Sequence, residues 1–253
     1  MRKIQLITIL IFVAVSLSNC KKDAPAGPAG AQGPAGPALT GNLKGYISLW
    51  DEYGGRILTN QAGDTVSIDG TTRKAITDST GLYTLTGVSS GTYSISVTRP
   101  GFGMTKVQNI QFVGGGDTYR DAKIAQPSTS NVLTLNDSIG AVTGNVTVYG
   151  TVASNVQQRT FILYVGNSAS TGSFTANHLV YYTKNVNPGI TKVSFVIPKT
   201  DLYDAGFGVG STAYFAGYGV GSLTASSYED FSNGRTVFSS VSSTPATVNL
   251  IVP

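Results

Sequence analysis

The stretch "ITDSTGLYTLTGVSSGTYSISVTRPGF", residues 76–102, alternates apolar and polar positions on either side of two turn signals. Tyr83 and Leu85 fall on one face of a strand, and Tyr93, Ile95 and Val97 on one face of the next. That period of two marks half-buried strands. "DSTG" (78–81) and "VSSG" (88–91) supply the turns, because Asp and Ser side chains bond their own backbone and glycine accepts positive φ. Gly81 and Gly91 are the residues expected to take it. The reading is a meander of hairpins in which parallel pairing is not indicated.

Upstream, "LKGYISLW" (43–50), "DTVSID" (64–69) and "RKAIT" (73–77) show the same alternation between Gly, Asp and Asn clusters. Downstream, beyond "AQPSTSN" at 125–131, a second set begins: "AVTGNVTVYGTV", "RTFILYVG", "HLVYYT", "TKVSFVI", "STAYFAGYG" and "ATVNLIV". Val146 pairs in period with Val148, Phe161 with Leu163 and Val165, and Val193 with Phe195 and Ile197. The polar, proline-bearing stretch between the sets reads as a boundary. The fold class expected is therefore all-β, with two antiparallel β-sandwich domains at 40–126 and 127–253. Six or more strands in the second suggest immunoglobulin or fibronectin type III character. One long sandwich or a jelly roll is the alternative.

The run at 76–102, with "GYISLWDEYGGRI" before it, resembles the carboxypeptidase regulatory-like domain, a transthyretin-like β-sandwich. Thr77, Asp78, Gly81, Tyr83, Gly91, Tyr93 and Gly101 fall on that family's positions, and order and spacing hold from Leu43 to near Ala125. The departure is "DEYGGRI", where the family often carries a proline. The resemblance implies a folding or docking module without catalytic residues of its own, of a kind that accompanies peptidases and outer-membrane transporters.

At the other end, "MRKIQLITILIFVAVSLSNC" opens with Arg2 and Lys3 and continues in an apolar run from Ile4 to Leu17. A bilayer span needs about 20 apolar residues, so the run has the proportions of a secretory signal. "LSNC" resembles a bacterial lipobox, which implies a signal peptide at 1–19 and lipid attachment at Cys20. Two or more acyl chains make such an anchor stable. "GPAGAQGPAGPA" (27–38) has the Gly-x-y period of collagen. As a Pro/Gly-rich tether over 20–39 it would reach up to roughly 60 Å at about 3.1 Å per residue. Expected localisation is the cell envelope, as an outer-membrane lipoprotein whose surface exposure is what the family resemblance implies, with the membrane as partner through the lipid.

Composition excludes several chemistries. The 17 basic and 13 acidic residues include no basic stripe, which argues against nucleic acid. Cys20 is the only cysteine, so no intramolecular disulfide can form, and His178 is the only histidine, so no His-rich metal site can be built. The two glutamates, Glu52 and Glu229, each adjoin an aspartate, but neighbours on a strand face opposite ways and make no acid pair across a cleft. Both pairs read as loop acids. "DGTTRKAITDSTG" has oxygen ligands without the Asp spacing of a calcium loop. No catalytic residue, cofactor or metal is expected. Trp50 with Tyr53, Tyr181 with Tyr182, and Tyr214 with Tyr218 are candidate aromatic platforms, although alternation sends about half of such residues into cores. The expected function is a non-catalytic surface lipoprotein displaying binding or assembly modules to a polysaccharide or protein; the alternative is a secreted, lipid-anchored hydrolase of polysaccharide or peptide. Finally, "DTV", "DST" and "DSI" resemble an Asp-Ser/Thr glycosylation sequon of bacterial surface proteins, which marks Thr65, Ser79 and Ser138 as candidate O-glycan sites.

Overall fold

A computed structural model describes residues 36, 38–172, 177–225 and 227–253. The expected signal peptide at 1–19, Cys20 and most of the tether lie outside the described residues. The chain from Ala38 to Pro253 forms one unit, built almost wholly of strands.

Among the described residues the first half holds nine strands: β1 (Thr40–Trp50), β2 (Arg56–Ile57), β3 (Thr65–Ile68), β4 (Lys74–Ile76), β5 (Leu82–Ser89), β6 (Gly91–Thr98), β7 (Thr105–Phe112), β8 (Asp117–Tyr119) and β9 (Ala122–Ala125). One sheet runs β4-β3-β6-β7, antiparallel throughout. The other is built around β1, with β5 and then β2 antiparallel along one edge. Along the opposite edge β8 and β9 pair with β1 in parallel, which corrects the expectation of hairpins alone. The cause is topological: the chain leaves β7 in the far sheet and crosses over before it reaches β1. Between the sheets Leu43, Ile47, Val66, Tyr83, Ile95, Val97, Ile110 and Ile124 are at most 1% exposed. Each such side chain contributes about 1.5–3 kcal/mol relative to exposure.

The turns follow the sequence with one exception. Asp78 Oδ1 accepts from Thr80 N, Thr80 Oγ1 and Leu82 N, and Gly81 takes φ +84°. At the β5–β6 connection, however, Gly91 does not take positive φ; the positive φ lies upstream on Gly87, inside β5.

The second half holds β10 (Val132–Ile139), β11 (Val146–Val152), β12 (Arg159–Gly166), β13 (Val180–Val186), β14 (Lys192–Ile197), the helix α1 (Lys199–Asp204), β15 (Thr212–Val220), β16 (Ser227–Asp230), β17 (Arg235–Phe238) and β18 (Ala246–Ile251). Sheet β10-β11-β14 faces sheet β13-β12-β15-β18, every pairing antiparallel. In immunoglobulin lettering these are A-B-E and C′-C-F-G, so the fourth strand lies on the C side as in the fibronectin type III arrangement. The residues read in period from the sequence, Val146, Val148, Phe161, Leu163, Val165, Val193, Phe195 and Ile197, form its interior. The outer face of the four-stranded sheet is also covered: Ile162, Tyr164, Ala216, Tyr218 and Val220 pack against Phe238 and Val241 from the segment after β15. Burial on both faces explains the continuous apolar runs of β12 and β15.

Candidate functional site

The loop between β1 and β2, "DEYGG" at 51–55, is drawn tight by its own backbone. Asp51 N donates to Gly55 O (2.8 Å), and Asp51 Oδ1 accepts from Tyr53 N (2.9 Å) and Gly55 N (2.7 Å). Gly54 sits at φ +88°, and a Cβ on Gly55 would stand 2.6 Å from Asp51 Oδ2. Two glycines in succession are what this turn requires. Its closure carries Glu52 and Tyr53 onto the second sandwich.

There they meet Arg159, the first residue of β12. Arg159 Nη2 donates to the Tyr53 hydroxyl at 2.7 Å, and the guanidinium carbon lies 3.8 Å from the centre of the Tyr53 ring. Arg159 Nη1 stands 3.4 Å from Glu52 Oε2, with both side chains largely buried. Glu52 Oε2 also accepts from Thr129 N at 2.6 Å, and Arg159 Nε reaches Asn155 Oδ1 at 3.4 Å. Asn155 Oδ1 in turn takes the Ser130 hydroxyl. The stretch between the two strand sets is therefore packed into this seam. Ser128 and Ser130 are buried, Gln126 N bonds Trp50 O, and Ser128 N bonds Ser240 O.

Beside the Tyr53–Arg159 stack lies a cleft of about 250 Å³, lined among others by Gln158, Thr160, Asn185, Ser222, Leu223 and Thr224. A broader groove of about 580 Å³ shares Glu52 and runs past Gln126, Pro127, Thr129 and Asn131. Both are bounded by residues from the two halves.

The other sequence candidates are dispersed. Trp50 is partly buried with Lys123 Nζ 5.6 Å from its ring centre, and Tyr218 is buried. Tyr182 donates to Asp201 at 3.0 Å, and Tyr181 joins an aromatic nest with Tyr164, His178 and Phe238. Tyr53, 46% exposed, lines the cleft at the seam, while Tyr181 and Tyr214 line separate, smaller clefts of about 220 Å³ and 150 Å³. His178 is 2% exposed, its ring centre 4.7 Å from that of Tyr164, and burial pushes its imidazole below the ordinary value. Of the acid pairs, Asp51 and Glu52 lie in a loop as expected, whereas Glu229 and Asp230 belong to β16. Asp69 binds Ser96 and Lys106, and Asp78 caps its own turn, so both carboxylates of that stretch are engaged within the protein. Among the described residues no three His, Cys, Asp or Glu side chains gather as a metal site. Thr65 opens β3, half-buried beside the fully buried Asp64, while Ser79 and Ser138 are exposed in a turn and on β10.

Sequence reasoning did not single out Arg159, Asn155, Thr129 or Asn185. The available signal was Arg159 itself, a lone cation heading the apolar run "RTFILYVG". A cation there ends up buried only if it is paired.

Residues 58–125 match the carboxypeptidase regulatory-like domain. Among curated proteins, none matches the chain. Among solved structures, a candidate carbohydrate-binding protein of Bacteroides uniformis is 15% identical over 84% of this chain and 99% of its own, with a TM-score of 0.33. A DUF3823 family protein of Parabacteroides merdae is 14% identical over 83% of this chain and 100% of its own, with a TM-score of 0.28. A chain from a type II cohesin–X-dockerin complex of Acetivibrio cellulolyticus is 27% identical over 31% of this chain, with a TM-score of 0.26, and the similarity spans 51% of that chain's length.

Proposed function

We propose that the protein is a lipid-anchored, non-catalytic binding module of the bacterial envelope. Cys20 would carry the anchor, the Gly-x-y segment would serve as spacer, and the joined sandwiches would present their seam to a polysaccharide or protein outside the cell. The observation that carries the binding reading is the state of the acids at the clefts. Glu52, the carboxylate shared by both, is held by the Thr129 amide and hydroxyl and by Arg159. A general acid or base has to exchange its proton with a substrate and sit near the operating pH. A carboxylate clamped by two donors and a guanidinium is a fastener, and it joins the two halves.

Two measurements test this. Cells expressing the wild type and Cys20→Ser are labelled with an alkyne fatty acid and fractionated; label and membrane association are expected in the wild type alone. The full chain in detergent is then applied to glycan and protein arrays with product analysis. Retention of partner without turnover is expected, and release of cleaved product would replace this reading with the hydrolase.

A further inference from the structure

We propose that the cleft beside the Tyr53–Arg159 stack binds one neutral sugar residue of an oligosaccharide or polysaccharide. This rests on the reading of the protein as a binding module and supplies its ligand class.

A sugar ring offers apolar C–H faces and a rim of hydroxyls that both donate and accept. Its natural site combines an aromatic or aliphatic surface with amides and hydroxyls, and carries no unmatched charge. The cleft has that composition. Tyr53 and Leu223 supply apolar surface, Gln158 and Asn185 supply amides, and Thr160 and Thr224 supply hydroxyls. Its two ionised residues, Glu52 and Arg159, are bound to each other. A phosphate, a carboxylate or an ammonium would find no free counter-charge, whereas a neutral polyol needs none.

The polar groups are also oriented in advance. Thr160 and Asn185 lie directly opposite in the β12–β13 register, and the Thr160 hydroxyl donates to Asn185 Oδ1 at 2.8 Å. With its carbonyl engaged, the Asn185 amide nitrogen is the part that remains to donate. Gln158 Nε2 donates to Asn187 Oδ1 at 3.1 Å, which leaves the Gln158 carbonyl to accept. A donor on β13 and an acceptor just before β12, each fixed by its own anchor, suit neighbouring hydroxyls of one ring and lower the ordering cost of binding. The volume, about 250 Å³, lies below the roughly 300–1,000 Å³ of pockets for drug-sized ligands and limits the occupant to about one ring. Because Tyr53 comes from one half and Asn185 from the other, the site exists only while the seam is closed.

The test uses the full chain in detergent against immobilised neutral oligosaccharides (cello-, manno- and xylo-oligomers), with oligogalacturonate as the anionic contrast. Saturable binding to at least one neutral oligomer is expected. Asn185→Ala and Gln158→Ala should each weaken it by about tenfold, the loss of a hydrogen bond or two, without lowering the melting temperature. Tyr149→Ala, on the exposed outer face of the β10-β11-β14 sheet, should bind as the wild type does. Should Asn185→Ala fold poorly, Gln158→Ala and Thr224→Ala carry the measurement. Undiminished binding in the cleft variants, a preference for oligogalacturonate, or binding to none of the neutral oligomers would each overturn the proposal. Retention of a protein partner would still leave the module reading standing. Cleavage of the oligosaccharide would remove that reading as well.

Discussion

Arg159 grips Tyr53 twice, through a 2.7 Å hydrogen bond to its hydroxyl and by stacking 3.8 Å from its ring centre. The two residues come from different sandwiches, so one side chain fastens the seam through a hydrogen bond, a cation–π contact and the charge of Glu52. Removing the cation strands a largely buried carboxylate.

Arg159→Ala should therefore cost about 3–5 kcal/mol, the penalty for breaking a buried pair from one side. Arg159→Lys keeps the charge but loses the planar fork, and should fall between that variant and the wild type. The same substitution should free residues 126–131, which the wild type holds by buried serines and backbone bonds. Limited proteolysis reads this directly: the wild type resists cutting there and Arg159→Ala is cleaved. Equal resistance in both would mean that the clamp does not hold the seam.

Gly45 and Tyr83 make the corresponding test of the first sandwich. The Tyr83 hydroxyl donates to Arg120 O at 2.7 Å, at the bend between β8 and β9, and a Cβ on Gly45 would lie 2.0 Å from that same oxygen. Gly45→Ala should displace the parallel edge and cost about 2–4 kcal/mol. Tyr83→Phe, which only orphans the carbonyl, should cost about 1–2 kcal/mol. Urea unfolding with an unchanged slope measures both. If Gly45→Ala is as stable as the wild type, the close approach is not what fixes that edge.

Which elements were legible in the sequence depends on how strictly they alternate. β6, β11 and β14 keep period two over their apolar inward positions and were found from it, and β5 keeps it through Tyr83 and Leu85 before Gly87, at positive φ, sets Val88 three places on. β7 and β10 were not, because a bulge breaks the count. The β6–β7 register shifts between Tyr93 and Ile95, with Asn109 at φ 55°, and Val107 and Ile110 end up three apart. β10 shifts between Val132 and Thr134, so its inward residues Val132 and Leu135 are also three apart. β8 and β9 are too short to show a period, and their parallel pairing depends on a crossover that no local pattern encodes. The site divides similarly. Glu52 and Tyr53 stood out as an acid and an aromatic in an unusual loop, but their partner lies about a hundred positions on, and pairing at that distance is a property of how two cores dock.

His178 should give the protein a pH-dependent stability near neutrality. Burial against Tyr164 and Tyr181, with the charge of Arg235 nearby, lowers its pKa in the folded state. The unfolded chain takes up a proton near pH 6.5, roughly the ordinary histidine value, while the folded chain resists. The contribution is therefore whole above the unfolded pKa and is lost as pH falls through the depressed folded value. Melting temperature should drop between about pH 7.5 and 5 more steeply in the wild type than in His178→Phe. Asp78, Asp117 and Asp230, held low by their hydrogen bonds, titrate below this window and cancel in the comparison. Parallel curves for the two proteins would exclude His178 as the source.

The three Asp-Ser/Thr sites should differ in use, because a glycosyltransferase needs its acceptor exposed and able to enter an active site. Thr65 lies on β3, bonded on both sides by β4 and β6, and its sequon aspartate, Asp64, is fully buried with Arg99 3.0 Å away and Thr77 beside it. Ser79 lies exposed in the turn that Asp78 caps, and Ser138 lies exposed on β10, an edge strand. We expect glycan on Ser79 and Ser138 in protein from its native cell, and none on Thr65. Intact mass followed by peptide mapping measures this, with Ser79→Ala and Ser138→Ala each removing one increment. A glycan on Thr65 would show that the sugar is added before β3 is folded into its sheet, and the exposure argument would then give no basis for choosing among the three.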